Sequence, residues 1–430
     1  MDKIITAARE INGETTVPGD KSISHRALML GAICNGEVMV SGLSSAEDCQ
    51  STLLCLQSLG IEFDFNASDS LVIKGKGLSG LAESKNILDA RNSGTTARLM
   101  TGLLAGRSIY SVITGDESLR NRPMKRVIDP LKQMGASISG RSNNTMLPIA
   151  ITGTNLHAIE YVLPMPSAQV KSAILLAGLH AAGKTTVIEK LPSRDHTERL
   201  LTYLGAKIES DSGVTSIEIS ELSAKEIYIP GDISSAVYFI AAAVISKNSR
   251  LRINNVGLNP TRMGAIDIMQ EMGANIEVIE KGIRCGEPYG DIKAASSELK
   301  GIRIAPKFIP SLIDEIPILA LAATQASGTT TIEGAGELRF KESDRLKTTA
   351  DLLNTLGANL HETGDGLVIN GKTPLTGSKI NSYMDHRLAM TGAIAGIIAK
   401  NETTIENCEC IAISFPDFFE KLKTLSGNHQ

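Results

Sequence analysis

The stretch that decides the fold is His25-Arg26-Ala27-Leu28, continued through Val38-Met39-Val40 to Leu56-Gln57-Ser58-Leu59-Gly60, because the chain repeats its pattern. An Ala- and Leu-rich helical segment leads through a turn into a β-rich run, and a second helix then ends in Leu-Gly or a close variant. A second copy starts at Thr96-Ala97-Arg98-Leu99 and ends at Lys132-Gln133-Met134-Gly135. A third runs from Val170-Lys171-Ser172-Ala173 through Thr185-Thr186-Val187-Ile188 to Tyr203-Leu204-Gly205, and a fourth from Ser235-Ala236-Val237-Tyr238 to Gln270-Glu271-Met272-Gly273. A fifth spans Glu315-Ile316-Pro317-Ile318 to Asn354-Thr355-Leu356-Gly357, and a sixth begins at Arg387-Leu388-Ala389-Met390, with a looser ending at Gly427. The closing glycines lie roughly 70–85 residues apart, too long a period for a solenoid. Each stands where a helix C-terminus favours positive φ, and β-branched residues often follow, as in Gly60-Ile61-Glu62-Phe63.

Each copy therefore reads as an α/β unit with a mixed sheet, and six copies in 430 residues divide into two domains of three. Ile229-Pro230-Gly231-Asp232 echoes Val17-Pro18-Gly19-Asp20, and both are extended-then-turn segments just before a helix. The pairing predicts a double-stranded hinge. One domain is expected over 1–18 plus 232–430 and the other over 19–231, with a cleft where the chain crosses.

Composition narrows the function. A net charge of −4 gives no global attraction to nucleic acid or anionic membrane, and the absence of Trp removes stacking platforms for single strands. The N-terminus lacks the apolar run of a signal peptide, and no stretch approaches the roughly 20 apolar residues of a spanning helix. Six scattered Cys suit reduced thiols in a cytoplasmic protein; Cys408 and Cys410 lack a nearby His, and two ligands do not close a zinc site. A monomer is expected, since no large amphipathic partner face is evident, and the ends, such as 426–430, are expected to fray.

Basic residues recur near helix starts, where unpaired N–H groups and the helix dipole favour anions. Gly19-Asp20-Lys21-Ser22-Ile23-Ser24-His25-Arg26 offers two cations and two hydroxyls, and Asn92-Ser93-Gly94-Thr95-Thr96-Ala97-Arg98 is a small-residue turn with an Arg one turn in. Asp385-His386-Arg387 begins another helix, Lys341-Glu342-Ser343-Asp344-Arg345 sets two cations four apart on one helical face, and Arg120-Asn121-Arg122-Pro123 adds two more Arg. Any one of these alone is most simply a solvated basic face, whereas five together suit a cleft for phosphate-bearing ligands. Asp314 and Glu342 stand among them: a carboxylate beside cations can transfer protons, and the plainer reading is an N-cap Asp and an ion-paired Glu.

Several of these motifs, in order along essentially the whole chain, resemble those of the 5-enolpyruvylshikimate-3-phosphate synthases. They are Pro18-Gly19-Asp20-Lys21-Ser22-Ile23-Ser24-His25-Arg26, Asn92-Ser93-Gly94-Thr95, Arg122-Pro123-Met124, Met165-Pro166-Ser167-Ala168-Gln169-Val170-Lys171-Ser172-Ala173, Lys341-Glu342-Ser343-Asp344-Arg345, Asp385-His386-Arg387 and Ser414-Phe415-Pro416. Pro-Ser-Ala-Gln followed by Arg194-Asp195-His196-Thr197-Glu198 is similar to the second of the family's two bacterial branches. The resemblance implies the enolpyruvyl transferase fold of two three-unit domains that close on substrate. It also implies transfer of the enolpyruvyl group of phosphoenolpyruvate to shikimate 3-phosphate in the chorismate pathway, with no metal and no cofactor.

Carried over residue by residue, the resemblance implies that Lys21, Ser22, Arg26, Ser167, Ala168, Gln169, Arg194, Asp314 and Lys341 bind shikimate 3-phosphate. Lys21, Gly94, Arg122, Gln169, Arg345 and Arg387 are implied for phosphoenolpyruvate. Asp314 is the candidate base for the 5-hydroxyl and Glu342 the candidate acid towards C3, with Lys21 assisting. The herbicide glyphosate mimics phosphoenolpyruvate in this family, and Gly94 leaves room where a methyl group would crowd it. Ile413 stands where many members carry Lys before Ser/Thr-Phe-Pro, which removes one cation from the phosphoenolpyruvate side. His196 replaces an aromatic ring of the other branch and is expected to pack while Arg194 makes the contact.

Two alternatives stand beside this. An enolpyruvyl transferase for UDP-N-acetylglucosamine shares the fold but uses a Cys on the loop matching Gly115-Asp116-Glu117-Ser118, where this chain has none. A catalytically silent phosphometabolite-binding protein would gain nothing from acids placed beside anionic ligands.

Overall fold

The structure, a computed structural model, describes residues 1–8, 10–65 and 70–427; of the end expected to fray, 428–430 lie outside the described residues. The chain forms two compact units. The middle unit comprises Gly19–Pro230 with Ile283–Glu287, and the terminal unit Met1–Pro18, Gly231–Gly282 and Pro288–Gln430. Gly231 thus falls on the other side of the expected boundary, and a short hairpin segment is counted with the middle unit.

Six sheets are present among the described residues, and five of them share one plan, while the sheet of Lys3–Ile5, Thr403–Glu406 and Lys379–Asn381 has three strands. In the middle unit, Tyr110–Thr114 pairs in parallel with Leu88–Asp89 and antiparallel with Met146–Thr152, which pairs antiparallel with Ser137–Gly140. Thr185–Ile188 repeats this with Glu160–Val162, Val214–Ile217 and Ile208–Asp211. Cys34–Ser41 does the same, its parallel neighbours Leu222–Ser223 and Ile227–Tyr228 coming from the far end of the unit, so its three copies close in a ring. In the terminal unit the N-terminal residues fill two vacant edges. Asn12–Thr15 lies parallel to Arg250–Gly257, and Lys3–Ile5 antiparallel to Thr403–Glu406.

The helices follow from composition and caps. The five closing glycines have φ between 87° and 99°, the left-handed conformation that ends a helix without Cβ strain. The first helix of each copy is the buried one. Beyond Ser234 and Ser235 in its first turn, Ile233–Ile245 is apolar on nearly every face and is buried from Ile233 to Val244, as a helix with so little polar surface must be. Gly94–Ala105 and Ala168–Gly178 cross closely, since a Cβ at Gly102 would stand 2.1 Å from the Ala173 carbonyl oxygen; only Gly fits there. Phe415 of the Ser-Phe-Pro segment is fully buried against Phe239 and Phe418, with ring centroids 5.7 and 5.5 Å away, and belongs to the core.

The two Pro-Gly-Asp segments bond reciprocally: the Asp20 amide donates to the Pro230 carbonyl and the Asp232 amide to the Pro18 carbonyl, each at 2.8 Å. Asp20 and Asp232 then cap the helices that follow, accepting from Ile23 N and Ser234 N at 2.9 Å.

Candidate active site

In the middle unit three helix starts carry the basic residues. Lys21 opens the helix Lys21–Ala32, and its Nζ lies 2.8 Å from Asp48 Oδ2. Arg26, one turn on, is buried: Nε donates to Thr197 Oγ1 (2.6 Å), Nη2 to Ser172 Oγ (2.8 Å) and Nη1 to the Ser22 carbonyl (2.8 Å). Burial lowers Arg26 to about 10, so it remains charged at neutral pH. Ser24 is committed to the scaffold, since its hydroxyl accepts from the Ser44 amide at 3.0 Å.

Ser93 caps the helix Gly94–Ala105 by accepting from Thr96 N at 3.1 Å. Arg98 Nη1 donates to Gln169 Oε1 (2.7 Å), and Gln169 Nε2 donates to Thr95 Oγ1 (3.0 Å), which ties this helix start to that of Ala168–Gly178. Ser167 caps the latter helix, accepting from Val170 N at 3.4 Å. Arg122 donates to Asn92 Oδ1 (2.7 Å) and Ser118 Oγ (3.1 Å). A buried chain runs from His25 Nδ1 to Thr52 Oγ1 (2.7 Å), on to Thr96 Oγ1 (2.7 Å) and to Ser93 Oγ (2.8 Å), joining two of the helix starts. Burial, reinforced by Lys21 and Arg26, keeps His25 well below its usual range, so the imidazole is neutral.

Arg194 is half-buried just before the helix His196–Tyr203. His196 is buried, as expected of a packing residue, and its Nδ1 stands 2.7 Å from Glu287 Oε1, a carboxylate partner that spacing along the chain does not reveal.

The terminal unit gathers the second set. Asp314 lies in the 3-10 turn Ile313–Glu315 and does not cap the helix Ile316–Thr324 that follows, which corrects the N-cap reading. Its Oδ1 is 3.2 Å from Lys341 Nζ and 3.4 Å from Arg345 Nη1, and its Oδ2 is 4.0 Å from Arg387 Nη2. Glu342 Oε2 pairs with Arg345 Nη2 at 2.5 Å. Lys341 and Arg345 do not share a helical face. Asp344 caps the helix at Arg345, accepting from Lys347 N at 3.3 Å, so Lys341 precedes the helix in extended backbone. The two cations meet at Asp314 all the same.

Asp385, unassigned from sequence, grips Arg345 in a fork, with Nε to Oδ2 at 2.8 Å and Nη2 to Oδ1 at 3.2 Å. It also caps the helix His386–Ile398 by accepting from Arg387 N at 2.9 Å. Arg387 Nη1 lies 3.5 Å from Glu315 Oε1. Burial pulls both guanidinium groups down, but Asp385 and Glu342 around Arg345, and Asp314 beside Arg387, outweigh it and raise both. Both stay charged at any working pH. Among the described residues no three His, Cys, Asp or Glu side chains group as metal ligands, and all six thiols are free, Cys408 and Cys410 being buried.

Residues 5–422 match the family model for EPSP synthase (3-phosphoshikimate 1-carboxyvinyltransferase). A 3-phosphoshikimate 1-carboxyvinyltransferase of Desulforudis audaxviator is 51% identical over 422 residues, 98% of each chain. One from Bacillus licheniformis is 49% identical over 418 residues, 97% of each chain. The solved EPSP synthase of Acinetobacter baumannii superposes with a TM-score of 0.88 at 41% identity, covering 99% of this chain and 98% of that one. The repeated sheets, the cation-bearing helix starts and these likenesses over nearly the full length agree: the chain belongs to the EPSP synthase (3-phosphoshikimate 1-carboxyvinyltransferase) family, transferases of the shikimate pathway.

Proposed function

We propose that this chain joins the enolpyruvyl group of phosphoenolpyruvate to the 5-hydroxyl of shikimate 3-phosphate and releases phosphate by addition and elimination. The observation that carries the reading is the cluster in which Asp314 and Glu342 both bear on Arg345, at 3.4 and 2.5 Å, with Lys341 3.2 Å from Asp314. Two carboxylates beside fixed cations supply a proton acceptor and a proton donor where an anionic substrate is also held.

In the addition, the 5-oxygen bonds to C2 of phosphoenolpyruvate while its proton passes to Asp314, and C3 takes a proton from Glu342, assisted by Lys21. The product is a tetrahedral ketal. In the elimination, the C2–O bond to phosphate breaks, C3 returns a proton to Glu342, and the enol ether forms. Arg122, Arg345 and Arg387 offset the carboxylate and the leaving phosphate, with Gly94 and Gln169 beside them. Ser22, Arg26, Ser167, Ala168, Gln169, Arg194 and Lys341 hold shikimate 3-phosphate. The chain works as a cytoplasmic monomer, a setting in which thiols such as its six stay reduced.

The test incubates the protein with phosphoenolpyruvate and either shikimate 3-phosphate or UDP-N-acetylglucosamine, and identifies the product by mass. An enolpyruvyl adduct of shikimate 3-phosphate alone is expected. An adduct of the sugar nucleotide, or none with either acceptor from folded protein, would overturn the reading.

A further inference from the structure

Behind the shikimate 3-phosphate residues of the middle unit lies a buried ionic cluster that the reaction itself does not use. Lys171 Nζ stands 2.5 Å from Glu189 Oε2 and 2.6 Å from Glu198 Oε1, and all three side chains are at most 6% exposed. Lys171 Nζ also points to the Ser193 carbonyl at 3.5 Å, and Glu189 Oε1 accepts from the Ser193 hydroxyl. Burial draws the Lys171 ammonium down, but the two carboxylates outweigh it and keep it charged. Burial raises Glu198, Lys171 opposes that rise, and Glu198 Oε2 has no hydrogen-bond partner. An orphaned carboxylate oxygen in the interior is costly, and a hydrophobic trio of similar volume would fold at least as well. Stability alone does not account for the cluster.

Its connections do. We infer that Lys171, Glu189 and Glu198 form a positioning triad that sets three shikimate 3-phosphate contacts at once. This rests on the reading of the reaction above. Lys171 lies one turn inside the helix that Ser167, Ala168 and Gln169 begin, and its amide donates to the Ser167 carbonyl at 3.0 Å. Ser193, held by Glu189 and by Lys171, precedes Arg194 directly. Glu198 follows Thr197, whose hydroxyl lies 2.7 Å from Ser172 Oγ, and these two hydroxyls carry Arg26. Glu198 is also the largest charge influence that favours the cationic form of Arg26. One ammonium thus fixes the helix start, the Arg194 loop and the Arg26 guanidinium relative to one another, whereas Arg122 is held by Asn92 and Ser118 instead.

The isosteric variants Glu198→Gln and Glu189→Gln test this by steady-state kinetics in both substrates, with thermal midpoints measured alongside. The KM for shikimate 3-phosphate should rise about tenfold in each, while kcat and the KM for phosphoenolpyruvate stay within about twofold. A merely structural role would lower the thermal midpoint and leave the KM ratio unchanged, which would overturn the triad while wild-type turnover upholds the reaction. Wild type that shows no turnover with shikimate 3-phosphate would overturn both. Should Glu198→Gln not fold, Glu189→Gln decides by itself, since it alters only the grip on Ser193 and Lys171.

Discussion

The two groups of site residues spend their cations differently. In the middle unit Arg26, Arg98 and Arg122 donate to hydroxyl, amide and carbonyl oxygens, while Lys21 pairs with Asp48 at 2.8 Å. In the terminal unit Lys341, Arg345 and Arg387 stand among Asp314, Glu315, Glu342 and Asp385 at 2.5–4.0 Å. A ligand there would meet cations already matched by carboxylates, two of which, Asp314 and Glu342, are the proposed proton carriers. The difference predicts that the carboxylates proposed to move protons belong to the terminal unit, beside cations that are also proposed to bind substrate, whereas the middle unit is proposed mainly to bind. Substitutions of the middle-unit arginines should act mainly on KM, and those of the terminal-unit carboxylates Asp314 and Glu342 mainly on kcat.

The largest effect expected is that of Glu342→Gln, which keeps the shape and removes the transferable proton; kcat should fall about 10²- to 10⁴-fold with little change in KM. Steady-state kinetics that gave the reverse pattern would break the comparison. Arg122→Ala removes a cation proposed to bind phosphoenolpyruvate, so the KM for phosphoenolpyruvate should rise roughly 10- to 100-fold, as loss of a charge-assisted bond predicts. An equal fall in kcat with KM unchanged would contradict it.

Gly94→Ala probes the same region more gently. The added Cβ would stand 2.9 Å from Arg98 Nη1, the far end of a flexible side chain, so Arg98 yields and its bond to Gln169 is disturbed. Inhibition by glyphosate should weaken about tenfold, and the KM for phosphoenolpyruvate should rise less. Equal inhibition of variant and wild type would show that the space at Gly94 is not what admits the inhibitor.

The smallest effect concerns stability. His180 is held down to about 3, by burial first and by Arg107 second, against 6.5 when unperturbed. Between those values the unfolded chain binds a proton that the folded chain does not. Stability therefore falls as pH drops below 6.5, by up to about 1.4 kcal/mol per pH unit. Buried His25 acts with the same sign. Denaturant titrations at several pH values should show a shallower acid-side loss in His180→Gln, and identical slopes would refute the assignment.

How much of this was legible in the sequence follows from the range of each interaction. The repeat could be read because a closing Gly with positive φ and a capping Ser or Asp are local necessities of every helix. The helix starts at Lys21, Gly94 and His386 were visible for the same reason. Spacing misled at Lys341, where Asp344 stops the helix short and turns a four-residue interval into a loop contact through Asp314. Asp385, the Gln169–Arg98 bond and the Lys171 triad were invisible, because their partners lie 40, 71 and up to 27 residues away and no local pattern encodes them. The two edges filled by Lys3–Ile5 and Asn12–Thr15 escaped notice likewise, since a short edge strand reveals its neighbour only in the folded sheet.

The most direct test of the account is phosphate release from phosphoenolpyruvate, with shikimate 3-phosphate present or omitted, by wild type and by Asp314→Asn. The account predicts release that requires shikimate 3-phosphate in the wild type. In the variant it predicts release slowed about 10²- to 10⁴-fold with folding intact. Release that ignores shikimate 3-phosphate, or that survives in Asp314→Asn, would contradict it.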